Sequence, residues 1–289
     1  MPQPSRSPLL AGFLLLSHVM ACGPDAIPPP VSPAWESGQG STDAATLRFG
    51  TPKLAAGTVW TESQTVIIDG KVSGLGGSAM NADLHVEKTT LGRVEVLEID
   101  VTNGLPTRMR IAVDKASQHV EIGSRQQHSR EAVEGQTYLA EHDGEWSYER
   151  VDGQSVSDEE ASALSAFGLG WQLHPSRLLP AHELRAGDRL RLDDTLLRHL
   201  GIRGDALDDV VVTFEGPVDD VGRFRIAGNL AQSNDDIAAS GRFEGQLDLR
   251  PQDSWPLAID LDGKLALSQA ESEARGTARL QLRWQTRPE

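Results

Sequence analysis

Cysteine is almost missing from this chain of 289 residues, which has one, Cys22. A single thiol builds neither a disulfide framework nor a cysteine-ligated zinc site. Long apolar runs are scarce too. The one candidate, "LLAGFLLL" from Leu9 to Leu16, is far shorter than the roughly 20 residues a spanning helix needs. No later segment approaches that length, which excludes a transmembrane helix from the mature chain. Basic charge is in deficit: outside Met1 to Ala21, whose only charged side chain is Arg6, there are 26 basic against 42 acidic residues, net −16. Such a field repels nucleic acid and anionic headgroups. The arginines alternate with acids, as in "LRAGDRLRLDD", and form no patch, so nucleic acid is excluded as a partner. Catalytic signatures are also missing: there is no His-Glu-x-x-His helix, Walker loop, Gly-x-Ser-x-Gly elbow or EF-hand spacing. No catalytic residue, metal-ligand set or cofactor is assigned, and the chain reads as a non-enzyme.

What is present begins with a leader. Arg6 precedes the apolar run, and small and mixed residues follow it, which is the layout of a secretory signal peptide over residues 1–21. With 38% hydrophobic and 24% charged residues, the remainder is too apolar for disorder throughout and calls for a folded body.

The stretch "VMAC", Val19 to Cys22, resembles the lipobox of bacterial lipoproteins. An aliphatic residue, a tolerant position (here an unusual methionine) and a small residue precede the cysteine. The resemblance implies cleavage between Ala21 and Cys22, a diacylglyceryl group on the Cys22 thiol, and acylation of the new amine. Two or more acyl chains make stable anchoring where one does not, so the chain is expected to be held at the cell envelope through Cys22. Gly23 makes the outer membrane the default. Val19 and Ala21 also suit the ordinary signal peptidase, which would leave Cys22 a free thiol. Residues 22–45 then read as a disordered Pro-, Gly- and Ser-rich tether reaching about 25–30 Å.

From Thr46 onward, period-two alternation dominates. In "ARLQLRW", Ala278, Leu280, Leu282 and Trp284 share one face while Arg279, Gln281 and Arg283 share the other. "FEGQLDL" and "LAIDLDGKLAL" repeat the pattern. "TNGLP" at Asn103-Gly104 and "HDGE" at Asp143-Gly144 mark hairpin turns. The expectation is a mainly β fold: long antiparallel strands in a strongly curved sheet or incomplete barrel, with one or two short helices on it. A first β half covers residues 46–152, a helical connector 153–171 and a second β half 172–289. In the connector, Ser157 and Glu160 have the spacing of a capping box. A second short helix is expected at "DTLLRHLG", from Asp194 to Gly201. "LLPAHELRAGDRLRL" with the later "SGRFEGQLDLRPQDSWPLAIDLDGKL" resembles an uncharacterised family of exported β-rich bacterial proteins over Trp171 to Leu267. That resemblance implies a fold and no activity.

Several residues have side chains suited to binding or catalysis. "GLGGSA", Gly74 to Ala79, fits a loose dinucleotide fingerprint, but a strand pattern follows it rather than the helix such a site requires. His85, His119, His128 and His142 come together only if the sheet brings them together, and His142 beside a turn reads as a solvated tip residue. The acidic doublets Asp193-Asp194, Asp208-Asp209, Asp219-Asp220 and Asp235-Asp236 fall at expected turns or helix starts, where Asp bonds its own backbone. Arg203 to Asp205 is a chance adhesion tripeptide. Among the tryptophans, Trp284 is expected in the core and Trp171 is the candidate for a ligand pocket. The reading is a lipid-anchored envelope lipoprotein that binds an apolar ligand or envelope protein through its curved sheet. The alternatives are a carrier sheltering an acyl chain, or a hydrolase with a site assembled from distant residues.

Overall fold

The computed structural model describes residues 34–38, 45–50, 54–73, 81–100, 106–143, 145–164, 183–192, 207–233, 237–269 and 275–289. Cys22, Trp171, Gly74 to Ala79, the Asn103-Gly104 turn, the expected helix from Asp194, Asp193, Asp235-Asp236 and the Arg203 tripeptide lie outside them.

The described chain is mainly β. Its strands are β1 (Thr46–Arg48), β2 (Val59–Ser73), β3 (Ala82–Ile99), β4 (Pro106–Ile122), β5 (Arg125–Arg130), β6 (Thr137–Asp143) and β7 (Glu145–Arg150), then β8 (Glu183–Arg185), β9 (Arg189–Leu192), β10 (Leu207–Val218), β11 (Val221–Ser233), β12 (Ile237–Arg250), β13 (Trp255–Gln269) and β14 (Arg275–Pro288). Helix α1 (Asp158–Leu164) follows β7. Twelve strands form one antiparallel sheet in the order β7-β6-β4-β3-β2-β14-β13-β12-β11-β10-β9, with β5 on β4, and β1 and β8 make a separate ribbon.

The first long strand and the last lie side by side in the middle of this sheet. Strands β2 and β14 pair in continuous register from Trp60↔Pro288 to Ser73↔Arg275. The two expected halves are therefore meanders of a single open sheet whose edges are β7 and β9. Strands of 15 to 18 residues are about three times the usual length, and strands that long coil under their own right-handed twist.

The alternation sends one row of side chains inward. On β14 these are Ala278, Leu280, Leu282 and Trp284, all buried, as expected. Curvature is helped by glycines on this face. A Cβ at Gly245 would lie 1.9 Å from the carbonyl oxygen of Asp260, and one at Gly241 1.9 Å from that of Lys264. Only glycine lets β12 and β13 approach so closely.

The capping box forms as read from the sequence. The backbone N–H of Ser157 donates to Glu160 Oε2 at 2.9 Å, and that of Glu160 donates to Ser157 Oγ at 3.2 Å. Ala163 and Leu164 then pack among inner-face residues of β3, β4 and β6.

Two details differ from expectation, and a third agrees with it. Residues 34–38, inside the stretch read as a tether, dock on the body: Trp35 meets Phe224 at 6.2 Å, and Glu36 exchanges backbone hydrogen bonds with Arg189. An aromatic ring there finds apolar surface despite its Pro- and Gly-rich surroundings. Asp208-Asp209 lies within β10 at a register shift, not at a turn; Asp209 takes φ of 51° and receives a 2.8 Å bond from Arg191. Asp219-Asp220 does form the β10–β11 turn, with Asp219 at φ 52°, a conformation short polar side chains tolerate.

Candidate functional site

The inner face carries two apolar clusters. The larger runs from Val86 on β3 across β2 and β14 to Phe214 and Phe224 on β10 and β11, and Phe49 caps it at 5.7 and 5.5 Å from those two rings. The smaller gathers Trp60, Val94, Ile111, Tyr138, Leu164 and Trp255.

Between the clusters lies a seam of buried polar side chains. Even positions of β2 point inward, so Trp60, Glu62, Gln64 and Val66 share one face. Register then places Thr286 beside Glu62, Thr90 beside Gln64, and Gln118 beside Lys88. Exposure is 3% for Glu62 and 5–8% for Gln64, Thr90, Lys88, Gln118 and Thr286. The seam steps diagonally across four adjacent strands.

Burying polar groups costs free energy unless they are hydrogen-bonded, and part of the seam meets that condition. Trp284 Nε1–H donates to Glu62 Oε1 at 2.8 Å, and Trp60 Nε1–H donates to Oε2 at 3.3 Å. Trp255 Nε1–H donates to Thr286 Oγ1 at 2.9 Å, and that hydroxyl donates to the Pro256 carbonyl. Three large rings thus bury their surfaces and anchor their polar edges in the seam. At the other end, Lys88 Nζ meets Glu131 Oε1 at 2.8 Å.

One acceptor is left open: Glu131 Oε2 is buried with no hydrogen-bond partner. The side chains of Gln64, Thr90 and Gln118 lie along the same seam, 5–8% exposed. Four donor or acceptor groups from β2, β3, β4 and the turn after β5 therefore sit together between two apolar surfaces. They offer both signs of hydrogen bonding to a polar group brought there.

Around α1, Tyr138 O–H donates to Glu160 Oε1 at 2.7 Å, and Arg150 reaches the same oxygen at 3.3 Å. The Glu160 carboxyl is held below its ordinary value by the Ser157 backbone N–H first and the Tyr138 hydroxyl next. Burial pushes the Tyr138 hydroxyl well up and that of Tyr148 to about 12. Both phenols stay protonated donors at neutral pH.

On the outward face, the sheet brings three of the four candidate histidines into a row. His85, His119 and His128 stand on β3, β4 and β5 with successive ring centres 5.9 Å apart. His142 is elsewhere, on β6 with its ring 5.0 Å from Trp146. It is half-buried rather than a solvated tip, and burial lowers its pKa.

The sequence reading missed the seam. Its residues on β2, Glu62 and Gln64, are flanked by the polar Thr61, Ser63 and Thr65, so the local sequence carries no contrast that marks it.

No family model matches the chain, and no curated protein matches it either. Among solved structures, a study of lipid–protein interactions in lipovitellin matches with TM-score 0.41 and 7% identity, over 79% of this chain and 25% of that one. The chain thus spans a quarter of the lipovitellin chain. DynF, from the dynemicin biosynthesis pathway of Micromonospora chersina, matches with TM-score 0.24 and 9% identity over 91% and 94% of the two chains. The translocator domain of the autotransporter NalP from Neisseria meningitidis matches with TM-score 0.22 and 9% identity over 80% and 89%. All these scores are low, and the functional reading rests on this chain's own residues.

Proposed function

We propose that this chain is a lipid-anchored bacterial envelope lipoprotein without catalytic activity, whose inner sheet face encloses an amphiphilic ligand. The ligand's apolar part lies against the two clusters and its polar group occupies the seam. The observation that carries this reading is the seam itself: Glu131 Oε2 is buried without a hydrogen-bond partner, and the polar side chains of Gln64, Thr90 and Gln118 lie near it between apolar surfaces. A buried polar group left open costs about 1–3 kcal/mol, and a ligand's polar group at Glu131 Oε2 would offset that cost.

The outward face supports a body outside the bilayer. A sheet crossing a membrane turns an apolar band to lipid, whereas here Arg279 pairs with Asp262, Arg223 with Asp248 and Arg93 with Glu289 on the outward side. No helix among the described residues is long and apolar enough to cross a membrane. The anchor is then Cys22, acylated after cleavage behind Ala21, with the outer membrane as its place.

A carrier with an open apolar concave face fits less well. Among the described residues the large exposed hydrophobics are Val151 and Val218 alone, which leaves no open apolar face among them to cradle an acyl chain.

The test is mass spectrometry of untagged full-length protein purified from membranes, under native and denaturing conditions. The expected result is a diacylglyceryl-modified Cys22 at the mature N-terminus and a non-covalent lipid-like mass lost on extraction. An unmodified Cys22 overturns the anchor, and an empty protein overturns the ligand reading.

A further inference from the structure

The three outward histidines stand on adjacent strands by register. His119 on β4 is directly opposite His128 on β5, and His85 on β3 is its diagonal neighbour, opposite Glu121. The His85–His119 and His119–His128 ring centres are each 5.9 Å apart. Two imidazoles bound to one tetrahedral ion, with metal–nitrogen distances near 2.0 Å, have ring centres about 5 Å apart, so the observed spacing is within side-chain adjustment of it.

Carboxylates already hold two of these rings. Asp69 Oδ1 lies 2.6 Å from His85 Nδ1, and Glu121 Oε1 lies 2.7 Å from His119 Nε2. A carboxylate that takes the N–H of one ring nitrogen leaves the other with its lone pair, the tautomer a metal requires. Both histidine side chains are about a third exposed, at 32% and 30%, and His128 is exposed. As placed, no group of three His, Cys, Asp or Glu among the described residues could hold a metal ion, so binding would require these rings to turn toward a common point.

We propose that His85, His119 and His128 form a surface site for one divalent transition-metal ion, with Asp69 and Glu121 as orienting carboxylates. Imidazole donors select zinc, copper or nickel over magnesium and calcium. Glu87, opposite His119, adds a further negative charge beside the ion. This site is independent of the inner face and of its ligand.

Titration of untagged, EDTA-stripped full-length protein with zinc chloride tests it, with copper(II) electron paramagnetic resonance as a second readout. One zinc per chain is expected, with nitrogen coupling from more than one imidazole in the copper spectrum. His119→Ala and His128→Ala each weaken zinc binding by at least about tenfold, and Asp69→Asn weakens it by about tenfold. His142→Ala leaves it unchanged, and urea unfolding confirms that all variants are folded. Zinc affinity unaltered by His119→Ala and His128→Ala, or no zinc bound by folded wild-type protein at millimolar concentration, overturns the proposal.

Discussion

Trp284 donates its indole N–H to Glu62 across the β2–β14 pair in the middle of the sheet, at 2.8 Å and 222 residues apart in sequence. The same carboxylate accepts from Trp60 on its own strand. The most buried acid of the seam thus ties both apolar clusters to the β2–β14 pairing. Glu62→Ala leaves two buried indole N–H groups without this acceptor and is expected to cost about 2–4 kcal/mol. Glu62→Gln keeps one acceptor oxygen and costs less. Urea unfolding followed by tryptophan fluorescence separates the two.

The turn of α1 gives a stability that depends on pH. Glu160 is held below its ordinary carboxylate value, so its contribution is fully present above the unfolded value of about 4.3. It is lost as pH falls through the lower folded value. The melting-temperature difference between wild type and Glu160→Gln should be largest near neutrality and shrink in acid. Ser157→Ala removes the reciprocal cap and should cost about 1 kcal/mol.

Sheet curvature should depend on Gly245. Its Cβ would meet a backbone oxygen at 1.9 Å, whereas at Gly263 the nearest atom is 3.1 Å away. Gly245→Ala is expected to destabilise by about 1–3 kcal/mol through overpacking, and Gly263→Ala by clearly less. Chemical denaturation of the two variants side by side reads the difference.

Outward and inward ion pairs should behave differently. Arg279 and Asp262 are well exposed, so Arg279→Ala should change stability little, and still less at high salt. Lys88 and Glu131 are 9% and 13% exposed. Lys88→Met leaves a buried carboxylate alone and should cost about 3 kcal/mol, with little salt dependence. Unfolding at low and high sodium chloride checks both.

Much of the fold was legible because burial in a one-faced sheet writes itself into period two. Ala278 to Trp284 declared the inner face, and Ser157 with Glu160 declared the helix start, because capping is local. The seam was harder to see. Around Glu62 and Gln64 the residues between them, Thr61, Ser63 and Thr65, are polar too, so no contrast between faces marks that stretch of β2. The step from Gln64 to Thr90, and from Lys88 to Gln118, exists only once register is set. The histidine row has the same origin: His85, His119 and His128 meet through pairing of three strands, while His142 parts from them because it lies on the inward face of β6, beside Trp146. Trp35 was hidden by the composition around it. The pairing of β2 with β14 joins residues more than two hundred positions apart, and no local signal announces it.

The most direct measurement is native mass spectrometry of membrane-purified wild type beside a Gln64→Leu, Thr90→Val, Gln118→Leu variant. These replacements keep volume and remove polar groups of the seam without touching Glu62, Trp284 or the Lys88–Glu131 pair. The expected result is a non-covalent ligand on wild type and its loss from a variant that is at least as stable to urea. Equal ligand occupancy in both proteins, or none in either, would contradict the seam as the place where this chain holds its ligand.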